Sequence, residues 1–157
     1  MPKKVVVFGG CGFIGSYVVE ELINNSYDVV VADLNYSKYI DEKYFKRCDI
    51  LDEKSVNEIV KEADIVYNFA GFANLDDAIA NPKKALELNV IGNINILEAC
   101  KIHSIKRFVY ASSAYAMSDK GSFYGISKLT SEKLTEEYYK KFGLEFTIVR
   151  YGSVYGE

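Results

Sequence analysis

Short apolar runs alternate along this chain with longer stretches in which apolar residues recur every three or four positions, the pattern of strands alternating with helices. Residues 3–8 form an apolar, β-branched run that stops at a cluster of glycines. A helical pattern follows over 13–25, with Ile14, Val18, Glu21 and Leu22 marking one face. Residues 28–32 predict a second strand, and the polar, tyrosine-rich segment 34–46 a loop. A short strand around 44–48 leads to a helix over 52–62, with Asp52 as N-cap and Val56, Ile59 and Val60 facing inward. Residues 64–70 predict a strand buried on both faces and ended by Gly71. Residues 72–81 read as a loop, and Pro82 opens a helix that runs over 83–103 with apolar residues on several sides. A strand at 107–111, a helix at 124–142 and a strand at 145–150 complete the series. Six strands alternating with helices predict an α/β, Rossmann-like, doubly wound parallel sheet in the order 3-2-1-4-5-6, with helices on both faces.

Composition narrows the class. A chain of 157 residues, 49% apolar, fits one substantial core and one domain. The formal charge is −3 and the charges are interspersed, so no basic patch for nucleic acid and no polybasic membrane anchor is expected. The three cysteines, Cys11, Cys48 and Cys100, lack metal-ligand spacing, and no metal site is expected. With no long apolar run at the N-terminus, the expected compartment is a reducing cytoplasm.

The glycines fit two spacings at once, Gly9-x-x-Gly12-x-x-Gly15 and Gly10-x-Gly12-x-x-Gly15. Between a strand and a helix, such glycines allow a tight turn, close approach of backbone to a pyrophosphate, and close packing of helix on strand. The helix N-terminus adds free N–H groups and the positive end of its dipole. Asp33, about twenty residues further on, ends the second strand, where a carboxylate accepts hydrogen bonds from ribose hydroxyls and repels a 2′-phosphate. NAD is therefore favoured over NADP, with Lys38 a few residues later arguing the other way.

Tyr124 and Lys128 lie four apart on a predicted helix and share a face. A phenol is a poor base at neutral pH, and an ammonium beside it favours the ionised form, so the pair could serve as a general acid/base. Ser113, at the end of the fifth strand, could hydrogen-bond the same substrate oxygen. Tyr-x-x-x-Lys alone is common on solvated helices; its position after a dinucleotide loop and a strand-end serine gives it weight. His103, the only histidine, sits at a helix end and reads as a cap or surface residue.

The stretches GGCGFIG, Asp33, CDILD, NFAGFAN, LNVIGNINILEAC, RFVYASSA, YGISK and RYGSVYGE, in this order, resemble the extended short-chain dehydrogenase/reductases, specifically the NAD-dependent epimerase/dehydratase family of nucleotide-sugar enzymes. The resemblance implies an NAD site in which Gly9, Gly12, Phe13, Ile14 and Gly15 hold the pyrophosphate. Asp33, with Leu34 and Asn35, would meet the ribose, and Asp49 and Ile50 the adenine. Phe69, Ala70 and Gly71 would line the cofactor, with Asn89 in the active-site network. Lys128 would meet the nicotinamide ribose, and Ser113 and Tyr124 the substrate hydroxyl. It implies a nucleotide-sugar substrate, oxidised and reduced in turn with Tyr124 as base, and a homodimer formed through the helices 83–103 and 124–142.

Three departures qualify the resemblance. Ser113 to Tyr124 is a shorter interval than the family's usual loop, and Gly152 and Ser153 stand where many sugar epimerases have an aromatic residue and Asn. The chain also stops at Glu157, where family members continue into a smaller substrate domain, so it reads as an N-terminal part of a longer enzyme. Residues 113–116 carry no carboxylate, which favours an epimerase over a dehydratase. A reductase of another carbonyl and a non-catalytic NAD-binding sensor or scaffold remain alternatives.

Overall fold

In the computed structural model, which describes residues 1–156, six parallel strands form one sheet. They are β1 (Lys4–Phe8), β2 (Asp28–Asp33), β3 (Phe45–Arg47), β4 (Ile65–Asn68), β5 (Arg107–Ser113) and β6 (Phe146–Tyr151). Their order is β3-β2-β1-β4-β5-β6, as the alternating pattern predicts. The order reverses between β1 and β4, and in such sheets ligands bind in the crevice beyond the strand ends at that switch point. Six α-helices accompany the strands: α1 (Phe13–Asn24), α2 (Glu53–Val60), α3 (Leu75–Ala80), α4 (Pro82–Leu86), α5 (Gly92–Ile102) and α6 (Ser122–Phe142).

Strand register sorts the core into two layers. Val6, Phe8, Val66, Phe108 and Tyr110 point to one face, where Val56 and Val60 of α2, Ile96 and Leu97 of α5 and Leu134 of α6 pack on them. Val5, Val7, Val29 and Val31 point to the other, under Val19 and Leu22 of α1. Beyond the reach of α1 this second face stays open to solvent: Tyr67 and Val109 are half-buried, and Thr147 and Val149 are exposed.

Three elements differ from the sequence reading. The inward stripe of α1 is Gly15, Val19 and Leu22, with Ile14 turned to the cavity described below. Gly15 must lie against the Gly9 carbonyl, with no room there for a Cβ, and this contact sets the rotation of the helix. Residues 72–81 are not all loop, because Asn74 caps α3 by accepting the Asp77 N–H at 3.0 Å, with Asp76 and Asp77 in the first turn. Asn81 closes α3 and caps α4 through the Lys84 N–H. The long helix after Pro82 is interrupted by a π-helical turn at Glu87–Ile91, which separates α4 from α5. Single π turns of this kind occur most often at functional sites.

The two faces of β5 and β6 should respond differently to substitution. Phe108→Ala, in the covered layer, is expected to cost about 3–5 kcal/mol. Val149→Thr on the open face should stay within about 0.5 kcal/mol. Urea unfolding of the two variants checks the contrast.

Candidate cofactor and active site

One cavity of about 740 Å³ runs along the C-terminal ends of the strands, from the glycine loop to the head of α6. The loop is built by the chain turning back on itself. Gly9 adopts φ +72° and donates its N–H to the Ala32 carbonyl at 2.9 Å, and Gly12 N–H donates to the Gly9 carbonyl at 3.1 Å. Gly10 has a different duty from the other three, since it packs under Val31 and Val19 and does not line the cavity. The spacing Gly9, Gly12, Gly15 is thus the one that faces the cavity.

No side chain caps the start of α1, so its first N–H groups have no side-chain partner where Gly12, Phe13, Ile14 and Gly15 line the cavity. An uncapped helix N-terminus beside a glycine turn suits a diphosphate. Asp33 closes the loop from β2. One carboxylate oxygen accepts the Cys11 N–H at 3.0 Å, and the other lies 3.4 Å from the Asn35 N–H. Cys11 is thus held to Asp33 through its backbone N–H. Leu34, Asn35, Asp49 and Ile50 line the cavity beyond Asp33, and Phe69, Ala70 and Gly71 line its middle. The Asp49 side chain is turned back to accept the Leu51 N–H at 2.9 Å.

Ser113, Tyr124 and Lys128 line the far end. Gly121 and Gly125 make the short connection from β5 feasible: each lies so close to the Tyr115 carbonyl that a Cβ would clash with it. The Tyr115 ring then meets the Tyr124 ring edge-on, with centroids 6.4 Å apart. Lys128 is buried and donates from Nζ to the Ala111 carbonyl at 2.9 Å, with Nζ 5.1 Å from the Tyr110 ring centroid and 5.8 Å from that of Tyr124. Burial pulls the Lys128 ammonium down to about 8. Burial likewise pushes the Tyr124 phenol up, and the Ser113 hydroxyl pulls it the other way. The downward influence on Tyr124 thus comes from Ser113, while the Lys128 ammonium lies against the aromatic rings and is held by a backbone carbonyl.

Of the residues expected at the cofactor or the reacting centre, only Asn89 does not line the cavity. It lies behind the wall, on the π turn, with its side chain fully engaged. Oδ1 accepts the Phe72 N–H at 2.6 Å, and Nδ2 donates to the Phe72 carbonyl and to Ser127 Oγ. It thereby ties the segment after β4 to α6. His103 ends α5 and shares a 2.9 Å hydrogen bond with Asn57, away from the cavity. Tyr151 at the end of β6 and Val154 beyond it also line the cavity; the sequence places them in the RYGSVYGE stretch but gives neither a role. Tyr151 faces Phe69 at 6.3 Å between centroids. A second carboxylate-centred cluster, Glu132 with Ser112 and Arg150, is not legible in the sequence, because Ser112 and Arg150 lie 20 and 18 residues from Glu132. Among the described residues there is no metal-binding cluster of His, Cys, Asp and Glu, and no helix long and apolar enough to cross a membrane.

Comparison with known proteins bears on the family and the fold. The model of the NAD-dependent epimerase/dehydratase family matches residues 5–157. A Methanocaldococcus jannaschii protein provisionally assigned as a UDP-glucose 4-epimerase is 34% identical over 173 residues, covering 98% of this chain and 56% of that protein. The UDP-glucose 4-epimerase of Thermus thermophilus, solved with NAD, superposes with a TM-score of 0.90 at 29% identity, over 98% of this chain and 56% of that one. That of Thermotoga maritima, solved with UDP-glucose, gives 0.90 at 30% identity, with the same coverage. The chain spans about half the length of these relatives. Over residues 5–157, this chain belongs to the NAD-dependent epimerase/dehydratase family.

Proposed function

We propose that this chain is the cofactor-binding and proton-transfer part of a nucleotide-sugar epimerase of the UDP-glucose 4-epimerase kind, with NAD as cofactor. The observation that carries this reading is the single cavity joining the glycine loop and Asp33 at one end to Ser113, Tyr124 and Lys128 at the other. The uncapped start of α1 suits the diphosphate, and the Asp33 carboxylate suits a ribose with free hydroxyls. Bound NAD supplies a hydride acceptor that is regenerated when the hydride returns, so the overall reaction is redox-neutral. The chain's own residues manage the proton. Tyr124, in its phenolate form, takes the proton of the sugar hydroxyl whose carbon gives up hydride, and returns it when the carbonyl is reduced on its other face. Ser113 donates a hydrogen bond to the same oxygen and holds it beside the phenol. Lys128, anchored by the Ala111 carbonyl, brings a positive charge under the site and would hold the nicotinamide ribose of bound NAD. Asn89 supports the set from behind by pinning Ser127, on the turn between Tyr124 and Lys128.

The turn after Ser113, Ala114–Met117, brings no acidic side chain, which favours epimerisation over dehydration. Exposed apolar residues on the two helical regions expected at a dimer interface, Leu86 and Ile91 on one side and Phe123 and Ile126 on α6, support a homodimer. Sedimentation at micromolar to millimolar concentration is expected to give a dimer; a persistent monomer would count against that arrangement.

The cofactor assignment is tested by titrating this chain with NAD and NADP. NAD is expected to bind at least ~10-fold more tightly, and Asp33→Ala to weaken NAD by a similar factor, since it removes both the ribose contact and the anchor of Cys11. Equal affinity for NADP would overturn the assignment. Turnover of UDP-glucose by this chain alone should be slow, with no net NADH formed, and Tyr124→Phe should lower any turnover at least ~100-fold.

Lys128 gives a stability test with a definite sign. Its folded pKa of about 8 lies below the unfolded value of 10.5, so the folded chain loses its proton first. The burial cost is full below pH 8 and is relieved as pH rises toward 10.5. Lys128→Met is therefore expected to raise stability at pH 7 by up to about 3 kcal/mol. That advantage should shrink between pH 8 and 10.5, as read by thermal melts across the range.

A further inference from the structure

Glu132 is a carboxylate with 1% exposure, buried where the proposed reaction makes no use of it. It stands on α6 one turn beyond Lys128 and two beyond Tyr124, on the same face of the helix. Its Oε1 accepts from Ser112 Oγ on β5, and Arg150 on β6 forks onto it, Nε to Oε1 at 2.9 Å and Nη2 to Oε2 at 2.7 Å. Ser112 and Arg150 are themselves register partners in the sheet. Burial alone pushes the Glu132 carboxyl up, but the guanidinium and the Ser112 hydroxyl outweigh it and hold the group below the usual carboxylate range.

Three consecutive residues of β5 face α6 or the cavity. The Ala111 carbonyl holds Lys128, Ser112 holds Glu132, and Ser113 faces the cavity with Tyr124. The Arg150 side chain is 45% exposed while Glu132 is buried, and an ion pair of this kind contributes little net stability beside apolar packing of the same volume. A bidentate guanidinium–carboxylate pair does fix distance and angle in a way apolar packing does not. We propose that Glu132, clamped by Arg150 and Ser112, is a positioning residue: it sets the height and rotation of α6 against β5 and so aligns Tyr124 and Lys128 with Ser113. This rests on the assignment of those three as the reacting set; Glu132 and Arg150 do not line the cavity, whereas Ser112 does.

The titration of Tyr124 reports the alignment, because the Ser113 hydroxyl is what draws its phenol downward. The groups around that phenol are Lys128 on α6, Ser113 and Tyr110 on β5, and Tyr115 on the following turn; those around Glu132 are Arg150 on β6, Tyr110 on β5, and Lys133 on α6. In ¹³C-tyrosine-labelled chain, with the Tyr124 signal assigned by its loss in Tyr124→Phe, the shift caused by Ser113→Ala sets the scale. Two variants break the clamp without changing net charge: Ser112→Ala, and the apolar replacement Glu132→Leu with Arg150→Met, chosen to keep the site packed. Each is expected to move the Tyr124 titration upward by at least half of the Ser113→Ala shift while the chain stays folded. A smaller movement in a folded variant would make the clamp a plain brace and overturn the proposal. NAD titrations on the same samples separate the two questions, since loss of NAD binding by the parent chain would sink the cofactor reading and leave the Tyr124 result standing.

Discussion

The site depends on a polar helix face that has to be buried. α6 turns Ser127, Lys128, Ser131, Glu132 and Thr135 inward, and each of these groups costs free energy in the interior unless it finds a partner. Ser131 donates to the Asn89 carbonyl on the π turn, Thr135 to the Ser131 carbonyl, Lys128 to the Ala111 carbonyl, and Glu132 takes Ser112 and Arg150. An apolar face could slide or rotate by a fraction of a turn at small cost. This one satisfies its donors and acceptors in a single register.

That register explains two features that local chemistry alone does not. The π turn at Glu87–Ile91 widens the helix enough to bring the Asn89 side chain between Phe72 and Ser127, while its carbonyl is taken up by Ser131. Gly121 and Gly125 let the head of α6 press against the Tyr115 backbone, so Tyr124 arrives beside Ser113 over a short connection. The glycine loop at the other end of the cavity follows the same logic with fewer parts. Gly15 lies on the Gly9 carbonyl, which rotates α1 so that its uncapped N-terminus lines the cavity, and Asp33 fixes the loop through the Cys11 N–H.

Burial in this site has opposite uses for different groups. For Lys128 it is a cost, seen in the depressed ammonium pKa, and it leaves the folded chain less stable than an apolar residue would. For Glu132 the cost is offset by a guanidinium and a hydroxyl, so the charge is kept. Charged groups held at a loss are common where structure serves chemistry and stability is sacrificed for it. The open face of β4 to β6 is a separate matter: Thr147 and Val149 meet solvent on the side away from α6, so these strands are braced from one side only.

The six strands, the glycine turn, Asp33 and the serine, tyrosine and lysine of the far end are written in local pattern: period, turn residues, or a spacing of four on a helix. The strand order follows from the alternation of strands and helices. Position in the fold then brought Gly9, Asp33, Ser113, Tyr124 and Lys128 to one cavity. What only the tertiary structure decided was long-range or rotational. The stripe of α1 differs by one residue from its apolar period because a backbone contact, and no hydrophobic period, sets its rotation. α3 is not legible in the sequence because a helix of six residues is stabilised by its Asn74 cap and tertiary contacts more than by any period. The break in the helix after Pro82 and the Glu132 cluster depend on partners far along the chain, Phe72 and Ser127 in one case, Ser112 and Arg150 in the other. A polar residue's burial is decided by what the fold brings beside it, and the chain's local pattern does not carry that information.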